Sequence, residues 1–184
     1  MKIFLIHGSR GNSKENWFPW ITTELTKLGP EVIAPDFPNP PDQSLQNWMK
    51  EFKPYLETID SNTIFVAHSL GPAFVLSILE SVPSKVKACF FVAGFTGALN
   101  LPKFDPVNKT FTEKEFNWKK IISNCEKFIL FASDNDPYVP LSKTQELCDK
   151  LNGKLIIVPN GGHFGTKAGY TEFARLLEEI KKIN

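Results

Sequence analysis

Val66-Ala67-His68-Ser69-Leu70-Gly71 is the stretch that decides the fold. The apolar run Thr63-Ile64-Phe65-Val66 leads straight into a serine set between small residues, and a helix-like pattern follows to about Val82. Such a run suits a strand. A strand that turns sharply into a helix presents the serine hydroxyl above the end of a parallel sheet. The turn strains the serine backbone, and side chains two positions before and after it would collide with their surroundings. Gly71 meets that demand. At the earlier position the usual glycine is replaced by Ala67, a variant that adds only one methyl group.

On either side of this turn, strand-like and helix-like segments alternate. Lys2 to Ile6 is a short apolar run closed by Gly8. Residues 16–28 carry Trp17, Trp20, Ile21, Leu25 and Leu28 at helical spacing and stop at Gly29-Pro30. Residues 31–34 read as a second strand, and the four prolines of residues 35–42 read as an extended loop. Ser44 is placed to cap a helix running to about Ile59, in which Pro54 predicts a kink or an early end. Strands are expected at 86–93, 128–132 and 154–158, and helices at 118–124, 142–151 and from about Gly169 to Ile183. Residues 94–116 show no clear periodicity. Six strands alternating with helices predict a three-layer α/β/α sandwich, with a mostly parallel six-stranded sheet in one domain over residues 1–184.

Composition narrows the function classes. Net charge is +1, with 21 basic and 20 acidic residues interspersed, so no basic face or acidic tail argues for a nucleic-acid or membrane partner. The opening run at Met1–Ile6 is too short for a signal-peptide core. Cys89, Cys125 and Cys148 are odd in number and lack C-x-x-C spacing, which fits reduced packing thiols in a cytoplasmic protein. Asn108-Lys109-Thr110 fits a glycosylation sequon, but without a secretion signal it reads as coincidence.

A serine hydroxyl is a poor nucleophile until a base takes its proton. In this architecture the base is a His oriented by a carboxylate, in chain order Ser, Asp or Glu, His, at the carboxyl ends of successive strands. His163, in Asn160-Gly161-Gly162-His163-Phe164, follows the last strand on a loop whose glycines allow the imidazole to swing back toward Ser69. His68 adjoins the nucleophile, and consecutive residues at a sharp turn point apart, so support or substrate contact is expected of it. His7 follows the first strand and is placed for the oxyanion region. Asp134 and Asp136 both follow the strand ending near Ala132. Asp136 is preferred because Asp136-Pro137-Tyr138-Val139-Pro140 is a rigid turn, with Asp134 the alternative as a solvated loop charge or turn former.

The oxyanion of a tetrahedral intermediate needs two backbone donors. The amide of Leu70 is one. The loop His7-Gly8-Ser9-Arg10-Gly11 is expected to supply the other through Ser9, and it lacks the Gly-x-x-x-x-Gly-Lys-Ser/Thr pattern of a phosphate loop. His7, Gly8, Arg10, His68, Phe95 and Trp118 are the expected pocket residues. Residues 94–120 are expected to border the pocket. Phe95, Phe104, Phe111, Phe116 and Trp118 read either as its apolar wall or as packing of an irregular segment on the core. A small, open, partly aromatic pocket is expected, which would favour modest acyl groups over long lipids.

The chain resembles the small serine hydrolases related to retinoblastoma-binding protein 9, a compact branch of the α/β-hydrolase superfamily. The resemblance covers His7-Gly8, Trp17 and Trp20, the Pro-rich loop with Trp48, and Ala67-His68-Ser69-Leu70-Gly71. It continues through Phe116-Asn117-Trp118 and Asp136-Pro137-Tyr138-Val139-Pro140 to Gly161-Gly162-His163-Phe164. It implies a compact α/β-hydrolase fold without a large cap domain, a triad of Ser69, Asp136 and His163, and acyl hydrolysis of a small-molecule substrate without metal or organic cofactor. The L-x-C-x-E retinoblastoma-binding motif is absent; around Cys125 the match fails at Ser123. The alternatives are a non-catalytic protein-binding scaffold on the same fold, or a hydrolase-fold enzyme of another reaction class.

Overall fold

The computed structural model describes residues 1–183. Six strands, β1 (Lys2–Ile6), β2 (Glu31–Ile33), β3 (Thr63–His68), β4 (Ala88–Val92), β5 (Phe128–Ser133) and β6 (Lys154–Val158), form one sheet in the order β2-β1-β3-β4-β5-β6. Every neighbouring pair is parallel. The chain steps outward from β1 to β2, then returns past β1 to lay down β3. That reversal opens a crevice beyond the carboxyl ends of β1 and β3, where ligands bind in open α/β sheets.

Side chains alternate between the faces of each strand, and helices cover both faces. Ile3 and Leu5 of β1 and Val66 of β3 pack with Phe18, Ile21 and Leu25 of α1 (Phe18–Lys27) and with Leu176, Leu177 and Ile180 of α7 (Ala174–Lys181). Phe4 and Ile6 of β1, with Phe65 and Ala67 of β3, face the other layer. That layer contains α2 (Leu45–Leu56), α3 (Gly71–Ser81), α4 (Asp105–Thr112), α5 (Trp118–Ser123) and α6 (Leu141–Lys150). Ala67 is fully buried in this layer, so the methyl group that replaces the usual glycine hydrogen is absorbed by core packing.

Trp48 of α2 fixes the Pro-rich loop. Its ring stacks on Phe37 at 4.6 Å between centroids, and its indole N–H donates to the Pro38 carbonyl at 2.9 Å. Ser44 caps α2 as expected, accepting from the Asn47 amide at 3.2 Å. Pro54 lies inside α2, which ends at Leu56 rather than Ile59; proline removes a helical donor and crowds the preceding turn.

Two segments differ from the sequence expectation. Residues 94–116 contain α4, held at its start by the Asp105 carboxylate, which accepts from the amides of Leu99 and Leu101. At the other end of the chain the helix begins at Ala174, not near Gly169. Gly169 sits at φ 85° and closes a short 3-10 turn over Thr166–Ala168, and that left-handed backbone cannot continue as a right-handed helix. No helix among the described residues is long and apolar enough to cross a membrane.

Candidate active site

Ser69 stands directly beyond β3 at φ 58°, a left-handed conformation that is rare for a residue with a side chain. Its amide donates to the Val92 carbonyl at 2.8 Å, tying the turn to the end of β4. Two glycines make room for it. A methyl group at Gly71 would lie 2.6 Å from the Ile6 carbonyl oxygen, so α3 can start this close to β1 only without a side chain there. A methyl group at Gly8 would lie 2.8 Å from Ser69 Cβ and 3.3 Å from its Oγ, which places the loop after β1 against the hydroxyl.

The hydroxyl is 3.0 Å from His163 Nε2, and His163 Nδ1 is 2.7 Å from Asp136 Oδ2. The Asp136 side chain is 2% exposed. Its second oxygen accepts from the amides of Tyr138 and Val139 at 2.8 and 3.1 Å. With that oxygen taken by backbone donors, Oδ2 is left for the imidazole, and an Nδ1 proton donated there leaves Nε2 as the acceptor facing Ser69. Hydroxyl, imidazole and carboxylate form one hydrogen-bonded chain capable of moving a proton off the serine.

Asp134 does other work. Its carboxylate accepts from the Asn160 amide at 2.8 Å, and neighbouring Asn135 accepts from the Gly162 amide at 2.7 Å. Both side chains join the loop after β5 to the loop that carries His163. Asn135 escaped the sequence reading because a lone Asn in a polar loop has no distinguishing pattern. Asn16 escaped for the same reason; its Oδ1 accepts from the Thr166 amide at 2.8 Å.

His68 is 6% exposed, between Trp17 and His163. Its Nε2 donates to the His163 carbonyl at 2.9 Å, so the residue before the serine holds the backbone of the imidazole that faces it. Burial, reinforced by the neighbouring His163, pushes its pKa down to about 3, and the imidazole is neutral. His7 is also kept neutral, with burial pulling its pKa below the ordinary value. Its Nε2 accepts from the Phe37 amide at 2.9 Å, which requires the proton on Nδ1, and Nδ1 donates to the Gly8 carbonyl at 2.8 Å. The Gly11 amide donates to that same carbonyl. Across a trans peptide the carbonyl and the next N–H point opposite ways, so these bonds orient the Ser9 amide away from His7. Among the described residues no acceptor takes the amide of Ser9 or Leu70.

Above the serine opens a cavity of about 1110 Å³. His7, Gly8, Ser9, Arg10, His68, Ser69, Phe95 and His163 all line it. Its lining includes apolar side chains, Phe95, Leu99, Leu101, Phe104, Tyr138 and Val139, and polar ones, Arg10, Asn12, Lys14, Glu15, Asn16, Thr166 and Lys167. This corrects the expectation of a small pocket, since ligand cavities commonly span about 300–1,000 Å³. Trp118 is corrected too. It lines a separate cavity with Phe116, and the Lys150 ammonium lies 5.3 Å from its ring centroid. Phe111 is fully buried in the core, where it packs edge-on against Trp48.

A parallel sheet with this switch point, and a serine on a strained strand-to-helix turn beside a histidine and a buried carboxylate, define an α/β-hydrolase. More narrowly, the chain belongs to the serine hydrolase family, whose model matches residues 3–182. It is 33% identical over 172 residues to the putative hydrolase YdeN of Bacillus subtilis (strain 168), covering 92% of this chain and 89% of that protein. It is 27% identical over 188 residues to the serine hydrolase RBBP9 of Rattus norvegicus, covering 99% and 95%. The crystal structure of the ydeN gene product from B. subtilis superposes with a TM-score of 0.92 at 29% identity, covering 99% of this chain and 97% of that one.

Proposed function

We propose that this hydrolase cleaves a carboxylic ester of a small molecule, or a related thioester or amide, through an acyl-enzyme on Ser69. The observation that carries the reading is the continuous chain from Ser69 Oγ through His163 to Asp136, at 3.0 and 2.7 Å. In the first half-reaction Ser69 Oγ attacks the carbonyl carbon while His163 Nε2 takes the hydroxyl proton. The amides of Leu70 and Ser9 hold the oxyanion. The tetrahedral intermediate then breaks its bond to the leaving group, whose oxygen, sulfur or nitrogen takes the proton from His163. Water repeats the sequence, its proton passing through His163 back to Ser69 as the acid departs. Asp136 holds the imidazole in the tautomer that keeps Nε2 free and stabilises the cation it becomes.

No step in this scheme calls for a metal or organic cofactor. The apolar lining offers a surface for the acyl group, and the reading places the reaction in the cytoplasm. Ser69→Ala is the test. It should abolish turnover of a simple aryl ester and labelling by a fluorophosphonate probe, with an acyl adduct visible by intact mass only in the unsubstituted protein. Labelling of Ser69→Ala at the unsubstituted rate would remove Ser69 from the mechanism. A protein that neither labels nor turns over any ester would point to the scaffold alternative.

A further inference from the structure

Gln43 lies between the Pro-rich loop and the Ser44 cap of α2, and nothing in its sequence context marks it as special. In the structure it is 6% exposed and every polar atom of its side chain is engaged. Its Oε1 accepts from the Arg10 amide at 3.1 Å and faces the Ser9 hydroxyl at 3.2 Å. Its Nε2 lies 2.8 Å from Ser9 Oγ, 2.9 Å from Asn108 Oδ1 and 3.2 Å from the Val107 carbonyl. Asn108 is 2% exposed on α4. One buried amide therefore joins the loop after β1 to the helix that borders the cavity.

That loop needs an external hold. It belongs to no strand or helix, and Arg10 sits at φ 58°, a conformation a free chain leaves readily. His7 grips one end by donating to the Gly8 carbonyl. Gln43 grips the other end at Ser9 and Arg10. The peptide between the two grips is the one that carries the Ser9 N–H.

We propose that Gln43 is a positioning residue for oxyanion binding: it fixes the direction of the Ser9 amide by clamping Ser9 and Arg10 against α4. The inference rests on the acyl-enzyme reading above. Gln43 is not among the residues that line the cavity. It acts through a backbone donor whose value depends on its aim, because an oxyanion donor works only when it already points at the place where charge develops.

Gln43→Met keeps the length and volume of the side chain and removes its hydrogen bonds. Aryl-ester kcat and KM, and the second-order rate of fluorophosphonate labelling, would be measured per folded molecule, with folding checked by near-UV circular dichroism. The expected result is a kcat lower by roughly 10- to 100-fold, less than the ~10²–10³ of losing an oxyanion donor outright. Labelling should slow in parallel and KM should change little. A purely structural role would lower the melting temperature and leave kcat per folded molecule at the unsubstituted value, which would overturn the proposal.

Ser9→Ala serves if Gln43→Met does not fold. It cuts the hydroxyl link alone and retains the backbone amide, so a several-fold fall in kcat is expected, and an unchanged kcat would likewise overturn the proposal. Ser69-dependent turnover in the unsubstituted protein separates the two levels. Its presence with an unaffected Gln43 variant defeats only the role of Gln43, whereas turnover that survives Ser69→Ala defeats the acyl-enzyme reading itself.

Discussion

Acidification should destabilise this protein through His68, and the size of the effect follows from where that residue sits. The ring is 6% exposed and stands 4.9 Å, centroid to centroid, from the ring of His163. Burial first, then the approach of a second imidazole, hold its pKa at about 3 against an ordinary 6.5; the bond to the His163 carbonyl and the charge of Asp136 oppose that shift only in part, and His7 adds to it. Above about pH 6.5 neither the folded nor the unfolded chain binds this proton, and the full stability is present. Below it the unfolded chain takes the proton and the folded chain does not, so stability falls until the folded value is reached. One proton of difference is worth about 1.4 kcal/mol per pH unit. Between about pH 6.5 and pH 4 the loss is therefore roughly 3 kcal/mol, a large share of the ~5–15 kcal/mol that holds a typical domain folded.

His7 shifts in the same direction, so the effect of His68 must be isolated. His68→Gln retains a donor for the His163 carbonyl and removes the titration. Urea unfolding of both proteins at about pH 7 and pH 4 gives two stability differences, and the change between them should be about 3 kcal/mol in favour of the variant at the lower pH. Contributions from titrating groups that do not interact with His68 are common to both proteins and cancel. A stability difference that stays constant across this range would refute the claim that His68 is held neutral inside the fold.

Asp136→Asn should leave the backbone turn intact, since its side-chain oxygen can still accept from Tyr138 and Val139, while an amide facing His163 Nδ1 favours the wrong imidazole tautomer; kcat for an aryl ester should fall by about 10⁴-fold with little change in melting temperature. Gly71→Ala places a methyl group 2.6 Å from the Ile6 carbonyl oxygen, a backbone atom with no freedom to yield. It should displace the start of α3 and cost roughly 1–3 kcal/mol as overpacking strain, read as a lower urea midpoint together with a loss of fluorophosphonate labelling.

The positions of Ser69, Asp136 and His163 were legible because each follows an apolar run that is unmistakably a strand, and parallel α/β sheets gather their strand ends on one side. The buried network was not. Gln43, Asn16 and Asn135 are ordinary polar residues in loops, and a polar residue in a loop carries no local mark of whether water or another segment satisfies it. Trp118 failed for a related reason. An aromatic residue in an aperiodic segment shows that something apolar is nearby, but not which side of the segment faces the serine.

By itself the sequence determined the order of strands and helices, the strained turn at Ser69 and the chain order of Ser69, Asp136 and His163. Those properties live in local periodicity and in the few residues a sharp turn tolerates. Only the tertiary structure decided that a hydroxyl and an imidazole 94 positions apart meet at 3.0 Å, and that Asp136 faces the imidazole while Asp134 holds the Asn160 amide. It alone buried His68 and Gln43, because burial and hydrogen-bond satisfaction belong to the packed molecule and not to any segment. The hexapeptide at 66–71 names the proposed nucleophile. Its reach, its base and the loop proposed to face its oxyanion are set by segments that come together only on folding.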